Sequence, residues 1–146
     1  MWKVFLCMCG IAAVVIVNGQ FDLVSQKCLD CLCEASSGCA LSTQCHNEAE
    51  NYFCGPYLIT YSYWSEGGSP GKDPNNPQDF EVCLKDRTCA EKAVVGYMKK
   101  WGKDCDNDGN ITCYDFARIH KAGPIGCNTT SVLNTPYWAI FNRCFS

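Results

Sequence analysis

The stretch Cys28-Leu-Asp-Cys31-Leu-Cys33-Glu-Ala-Ser36-Ser37-Gly38-Cys39 decides the architecture of this chain. It closes a segment, residues 22–37, that reads as a short helix with its apolar residues and half-cystines gathered on one buried side. Gly38 supplies the stop. Cysteine at this density signals either a disulfide framework or a metal module, and the rest of the sequence chooses between them.

Residues 1–19 read as a secretory signal peptide. Lys3 gives the basic start, residues 4–17 the apolar stretch, and Val17-Asn-Gly19 small residues suited to cleavage. The apolar run is short for a membrane span, and no second candidate follows it. The expected organisation is a signal peptide over 1–19 and a single domain over 20–146, secreted and extracellular. Cleavage removes Cys7 and Cys9 from the fourteen cysteines and leaves twelve, an even number. Oxidising export and only two histidines select disulfides over zinc for the Cys28-x-x-Cys31 and Cys31-x-Cys33 spacings. No metal and no cofactor is expected.

Without Lys3, eleven basic residues face fifteen acidic ones, about four units of negative charge. The basic residues are scattered apart from Lys99-Lys100. That excludes nucleic acid, whose affinity comes from neutralised phosphates. It also weighs against long-range attraction to anionic bacterial walls. No membrane partner is expected after cleavage, and the chain is expected to be a monomer or weak dimer.

Along the chain, Cys54-Gly-Pro-Tyr-Leu-Ile-Thr-Tyr61 is β-branched and aromatic after a Gly-Pro turn, which predicts a short strand or extended segment. Residues 65–78 contain Gly67-Gly68, Pro70-Gly71, Pro74 and Pro77, and predict an exposed loop inside one domain. Helical spacing then returns: a short piece over 80–84, and a longer one over 89–101 with Ala93, Val94, Tyr97, Met98 and Trp101 on one side. Thr112 with Asp115 predicts a capped helix ending at Gly123. Thr135-Pro136 opens a last helix running through Phe141. The predicted class is α+β, predominantly helical and stapled by disulfides.

The opening stretch resembles the catalytic segment of invertebrate-type (i-type) lysozymes, the destabilase family, typically C-x-x-C-x-C-x-x-E-S-G-C. The likeness continues through Cys54-Gly55 with Tyr63-Trp64, then Gly68, Pro70 and Gly71. Asp104-Cys105, Asp108-Gly109, Asp115-Phe-Ala-Arg-Ile-His120, Gly126-Cys127 and Tyr137-Trp138 carry it almost to the end. It implies a disulfide-stapled lysozyme-like single domain acting on bacterial peptidoglycan as a β-1,4-N-acetylmuramidase. Bacterial cell-wall glycan is then the implied partner, in digestion or antimicrobial defence. Many members of the family carry cysteines where this chain has Gly67 and Ala93. Losing both together is what losing one whole bridge looks like, so six bridges are expected. Short loops suggest Cys33–Cys39, Cys45–Cys54 and Cys83–Cys89, and leave the other pairings open.

The resemblance also exposes a departure. The family's general-acid Glu falls at Ser36. Glycoside hydrolysis needs one carboxyl that protonates the leaving oxygen and a second that attacks or stabilises the sugar cation, about 5–5.5 Å apart in retaining enzymes. A serine hydroxyl is too weak an acid, and removing a general acid costs about 10²–10⁴-fold in rate. Weak or absent turnover follows, with a non-catalytic glycan-binding protein as the alternative. Glu34 lies two helical positions away, about 200° round, and is expected to face elsewhere. Glu48 matches the second carboxylate. Tyr57, Tyr63, Trp64 and His120 are candidates for substrate contact, against core packing for Trp64. A Ser–Lys isopeptidase pair is implied for part of the family, but Thr60 stands at the Lys position; a Ser–His arrangement with His120 remains open. Asp104-x-Asp106-x-Asp108-Gly109 resembles the start of a calcium loop with Asp115 at its twelfth place, against an acidic turn before a helix. Asn110-Ile-Thr112 and Asn128-Thr-Thr130 are glycosylation sequons, Asn128 the more open acceptor.

Overall fold

A computed structural model describes residues 23–146. The expected signal segment, with Cys7 and Cys9, and Asp22 lie outside the described residues. The first helix, α1 (Gln26–Ser37), starts later than the sequence suggests. Ser25 is its cap, accepting the Cys28 backbone N–H on its hydroxyl. Gly38 ends it in the left-handed region at φ 71°, returning its N–H to the carbonyls of Cys33 and Glu34. Cys28, Leu29, Cys31, Leu32, Cys33 and Ala35 form the buried side.

A two-residue turn at Ala49-Glu50 joins β1 (His46–Glu48) to β2 (Asn51–Phe53), an antiparallel hairpin with Glu48 opposite Asn51 and His46 opposite Phe53. The strand expected over Cys54–Tyr61 is absent. Cys54 and Ile59 instead form an isolated bridge that closes a tight turn, with Gly55 at φ 71° and its Cα against the Leu84 carbonyl. Thr60 then caps α2 (Tyr61–Glu66) through the Tyr63 N–H. Of the aromatic residues that suggested a strand, Tyr57 lies in the turn and Tyr61 opens the helix, where the Thr60 cap and the burial of Trp64 outweigh local β preference.

Residues 67–78 form a run of turns before α3 (Asp79–Lys85) and α4 (Arg87–Trp101), whose Ala90, Ala93, Val94, Tyr97 and Met98 face the core. Thr112 and Asp115 make a reciprocal capping box at the start of α5 (Cys113–Gly126). Gly123, at φ 74°, breaks that helix before Pro124 resumes it. A 3-10 turn over Thr130–Asn134 leads to α6 (Pro136–Phe145), capped by Thr135.

Six disulfides pair all twelve described cysteines. Cys33–Cys39, Cys45–Cys54 and Cys83–Cys89 are local, as short loops suggest. Cys28–Cys113, Cys31–Cys144 and Cys105–Cys127 supply the long-range pairings that sequence left open. Two of these tie α1 to α5 and α6, and α1 packs most extensively on α6. The result is a helical domain with one small hairpin, bolted around α1.

Candidate functional site

The end of α1, the hairpin, the C-terminal part of α5 and the start of α6 enclose a cleft of about 570 Å³. Ser36 and Glu48 both line it, and Glu34 does not. The reason is local geometry. Ser36 sits on the last turn of α1 facing inward, while Glu34 is exposed on the other side of the helix. Cross-strand partners share a face of a hairpin, so Glu48 and its partner Asn51 point into the cleft together with Phe53. Asn47 and Tyr52 take the other face, where the Tyr52 hydroxyl donates to Glu81 at 3.0 Å and anchors the hairpin to α3.

The Ser36 hydroxyl donates back to the Leu32 carbonyl at 2.8 Å, one turn earlier. Its oxygen also lies 3.2 Å from His120 Nε2. His120 Nε2 is 3.0 Å from the Tyr57 carbonyl oxygen, and Nδ1 is 2.9 Å from the Tyr63 hydroxyl. A carbonyl only accepts, so Nε2 carries the proton and Nδ1 accepts from Tyr63. Burial holds the imidazole well below its ordinary value, at about 4, with the Lys121 charge a smaller contribution in the same direction. His120 is therefore a neutral donor facing Ser36, not a base able to take its proton.

Glu48 is open to solvent, its side chain 66% exposed, and lies 3.7 Å from His46. No other carboxylate lines the cleft among the described residues. The cleft thus carries one carboxylate, Glu48, and the hydroxyl of Ser36.

The aromatic candidates are placed differently from the sugar-stacking role considered for them. Tyr57 is 0% exposed and its hydroxyl is engaged by the Leu29 carbonyl and the Glu91 carboxylate. Trp64, 2% exposed, packs in the core and donates its indole N–H to the Pro70 carbonyl. Tyr63 stacks face to face on Tyr97 with ring centroids 3.8 Å apart and meets the site only through His120. Burial raises the Tyr63 phenol far above its ordinary value, so it stays a neutral donor. Of the four, Tyr57 and His120 line the cleft, Tyr57 with its hydroxyl engaged in the core, and Tyr63 and Trp64 are not among the lining residues. Residues the sequence did not single out complete it: Asn51, Phe53, Lys121 and Tyr137. The alternation of the hairpin places the first two on the face that Glu48 shares.

The acidic turn resolves in the same way. Asp104, Asp106 and Asp108 gather their carboxylates within 4.8 Å of one another, and Asp104 accepts the backbone N–H groups of Asp108 and Gly109. Asp115 does not join them. It is fully buried and caps the Cys105 and Thr112 N–H groups at 2.8 Å each. The segment is a folded Asx turn leading into a capped helix.

Comparison with known proteins bears on this geometry. A profile of the Destabilase family matches residues 25–144. A lysozyme of Magallana gigas is 37% identical over 88% of this chain and 88% of its own length. The invertebrate-type lysozyme of Ruditapes philippinarum is 34% identical, covering 83% of this chain and 82% of that one. Among solved structures, Tapes japonica lysozyme superposes with a TM-score of 0.66 at 34% identity, over 83% of this chain and 90% of that chain. Meretrix lusoria lysozyme, in complex with Aeromonas hydrophila PliI, gives 0.68 at 33% identity over the same shares. Six bridges, a helical body with one hairpin and these matches along nearly the whole domain lead to one conclusion: the chain belongs to the destabilase family, the invertebrate-type lysozymes.

Proposed function

We propose that this protein is a secreted, extracellular member of the family that holds bacterial peptidoglycan in the cleft between Ser36 and Glu48 and hydrolyses it weakly or not at all. One observation carries the reading: Ser36 stands in the cleft where a proton donor is needed, its hydroxyl spent on the Leu32 carbonyl and on His120. Glu48 alone can stabilise positive charge on a sugar carbon, but it cannot also protonate the leaving oxygen. Retaining the cleft while lacking the acid suits binding. The twelve paired cysteines support export into an oxidising compartment. No described helix is long and apolar enough to cross a membrane.

The test is a peptidoglycan turbidity assay run beside a pull-down on insoluble peptidoglycan. Retention on the pellet without clearing supports the binding role. Clearing at the rate of an acid-bearing relative would favour an active muramidase in which another group protonates the leaving oxygen.

A further inference from the structure

The cleft carries one permanent charge of each sign. Glu48 supplies the negative charge from the hairpin, and Lys121 is the one Lys or Arg among the described residues that line it. Lys121 follows His120 on α5, near the break at Gly123. Its ammonium lies 5.5 Å from the centre of the Tyr137 ring, which also borders the cleft. This cation–π contact steers the long side chain along the α5–α6 wall. Among the described residues no carboxylate lies within 4.0 Å of it, whereas Glu48 has His46 beside it. The side chain is solvent-exposed, so it is a charge available to a ligand and not a strut of the fold.

A ligand entering this cleft meets attraction for anions along α5 and repulsion from the hairpin. Cell-wall glycan is built for such a division: every second sugar bears a lactyl-linked peptide with free carboxylates, while chitin has the same backbone without them. Resting on the reading of the cleft as a peptidoglycan site, we propose that Lys121 receives a stem-peptide carboxylate. In doing so it selects acidic cell-wall glycan over neutral chitin and fixes the register of the chain, with peptide-bearing sugars turned toward α5 and away from Glu48. Lys121 is a specificity residue here and takes no part in bond breaking.

The experiment is calorimetric titration of the full secreted protein with two ligands. One is an uncrosslinked, peptide-bearing glycan fragment of peptidoglycan; the other is chitohexaose. The wild type should prefer the acidic fragment, and the preference should shrink as salt shortens the Debye length. Lys121→Gln should weaken the acidic fragment about 3-fold, the scale of one exposed ion pair. Lys121→Glu should weaken it about 10-fold through added repulsion. Chitohexaose should bind all three proteins alike. Equal wild-type affinity for both glycans, or variants that bind the acidic fragment as the wild type does, would overturn the assignment of Lys121 and leave the cleft a glycan site. Failure of the wild type to bind either glycan would overturn both.

Discussion

His120 Nε2 donates to the carbonyl oxygen of Tyr57 across 3.0 Å, and that bond fixes where the imidazole keeps its proton. Ser36 is 3.2 Å from the same nitrogen, close enough to resemble a nucleophile and its base. The resemblance is geometric only, because a base must offer a lone pair where the hydroxyl sits.

Ser36 is therefore expected to be unreactive. A fluorophosphonate probe should leave no adduct on the Ser36 peptide in a mass-spectrometric map. Ser36→Ala should leave release from a γ-glutamyl-lysine isopeptide substrate unchanged. A labelled Ser36 would mean that the imidazole turns over and exposes Nδ1.

A carboxyl placed at position 36 should raise turnover. Ser36→Glu should raise peptidoglycan hydrolysis at least ~10-fold, within the range a general acid supplies. The new carboxyl would stand at the C-terminal end of α1, where the helix dipole disfavours an anion. Burial and the charge of Glu48 act in the same direction, keeping it protonated near neutral pH. If Glu48 is the second carboxylate that the resemblance implies, it is one methylene longer than the Asp expected there, and Glu48→Asp added to Ser36→Glu should improve the rate again. Two folded, glycan-binding variants that remain inert would place the loss in the whole cleft.

Stability should depend on His120 in a defined pH window. Burial lowers its folded value to about 4, below the ordinary 6.5. Between these values the unfolded chain binds a proton that the native state does not, so native stability rises with pH. The contribution is complete above about 6.5 and is lost as pH falls toward 4. Urea unfolding at pH 7 and pH 5 should differ by on the order of 1–2 kcal/mol from this group. His120→Gln should flatten that part of the profile while lowering stability at pH 7. An unchanged pH slope in the variant would assign the dependence to other groups.

The contact between Gly67 and α4 should be intolerant of added atoms. A Cβ at Gly67 would stand 2.4 Å from the Ala93 carbonyl oxygen, and one at Gly96 would stand 1.9 Å from the Gly67 oxygen. The end of α2 and the middle of α4 meet there backbone to backbone. Gly67→Ala should cost about 1–3 kcal/mol by urea denaturation, the range for overpacking a tight contact. A wild-type midpoint in the variant would show that the two helices slide apart freely.

The elements legible in sequence were those whose ends carry their own chemistry. Gly38, the Thr112–Asp115 pair and Thr135-Pro136 each satisfy the open groups of a helix terminus within a few residues. The hairpin and α2 were not legible, because their conformations are set from a distance. Ala49 takes a left-handed φ of 53° without being glycine, and the Cys45–Cys54 bridge closes the strands behind it. The extended segment expected over Cys54–Tyr61 gives way at Tyr61 to a helix that buries Trp64 in the core. At the site, the family resemblance pointed to Ser36, Glu48 and His120, which line one cleft. It could not locate Lys121 or Tyr137 in the cleft, since their place follows from how α5 and α6 dock. Nor could it divide the aromatics between core and surface, because Tyr57 and Trp64 have the same composition in either setting.

The two longest bridges also determine what proteolysis can do. The turn-rich run over residues 68–78 is a mostly exposed stretch between the two halves of the cleft. A single cut there separates Ser36 and Glu48 on one fragment from His120, Lys121 and Tyr137 on the other. The fragments do not part, because Cys28–Cys113 and Cys31–Cys144 cross the cut. Each broken end stays at high effective concentration of its partner. A nicked molecule in a protease-rich fluid is still one particle with both walls of its cleft, and only a reductant can take it apart.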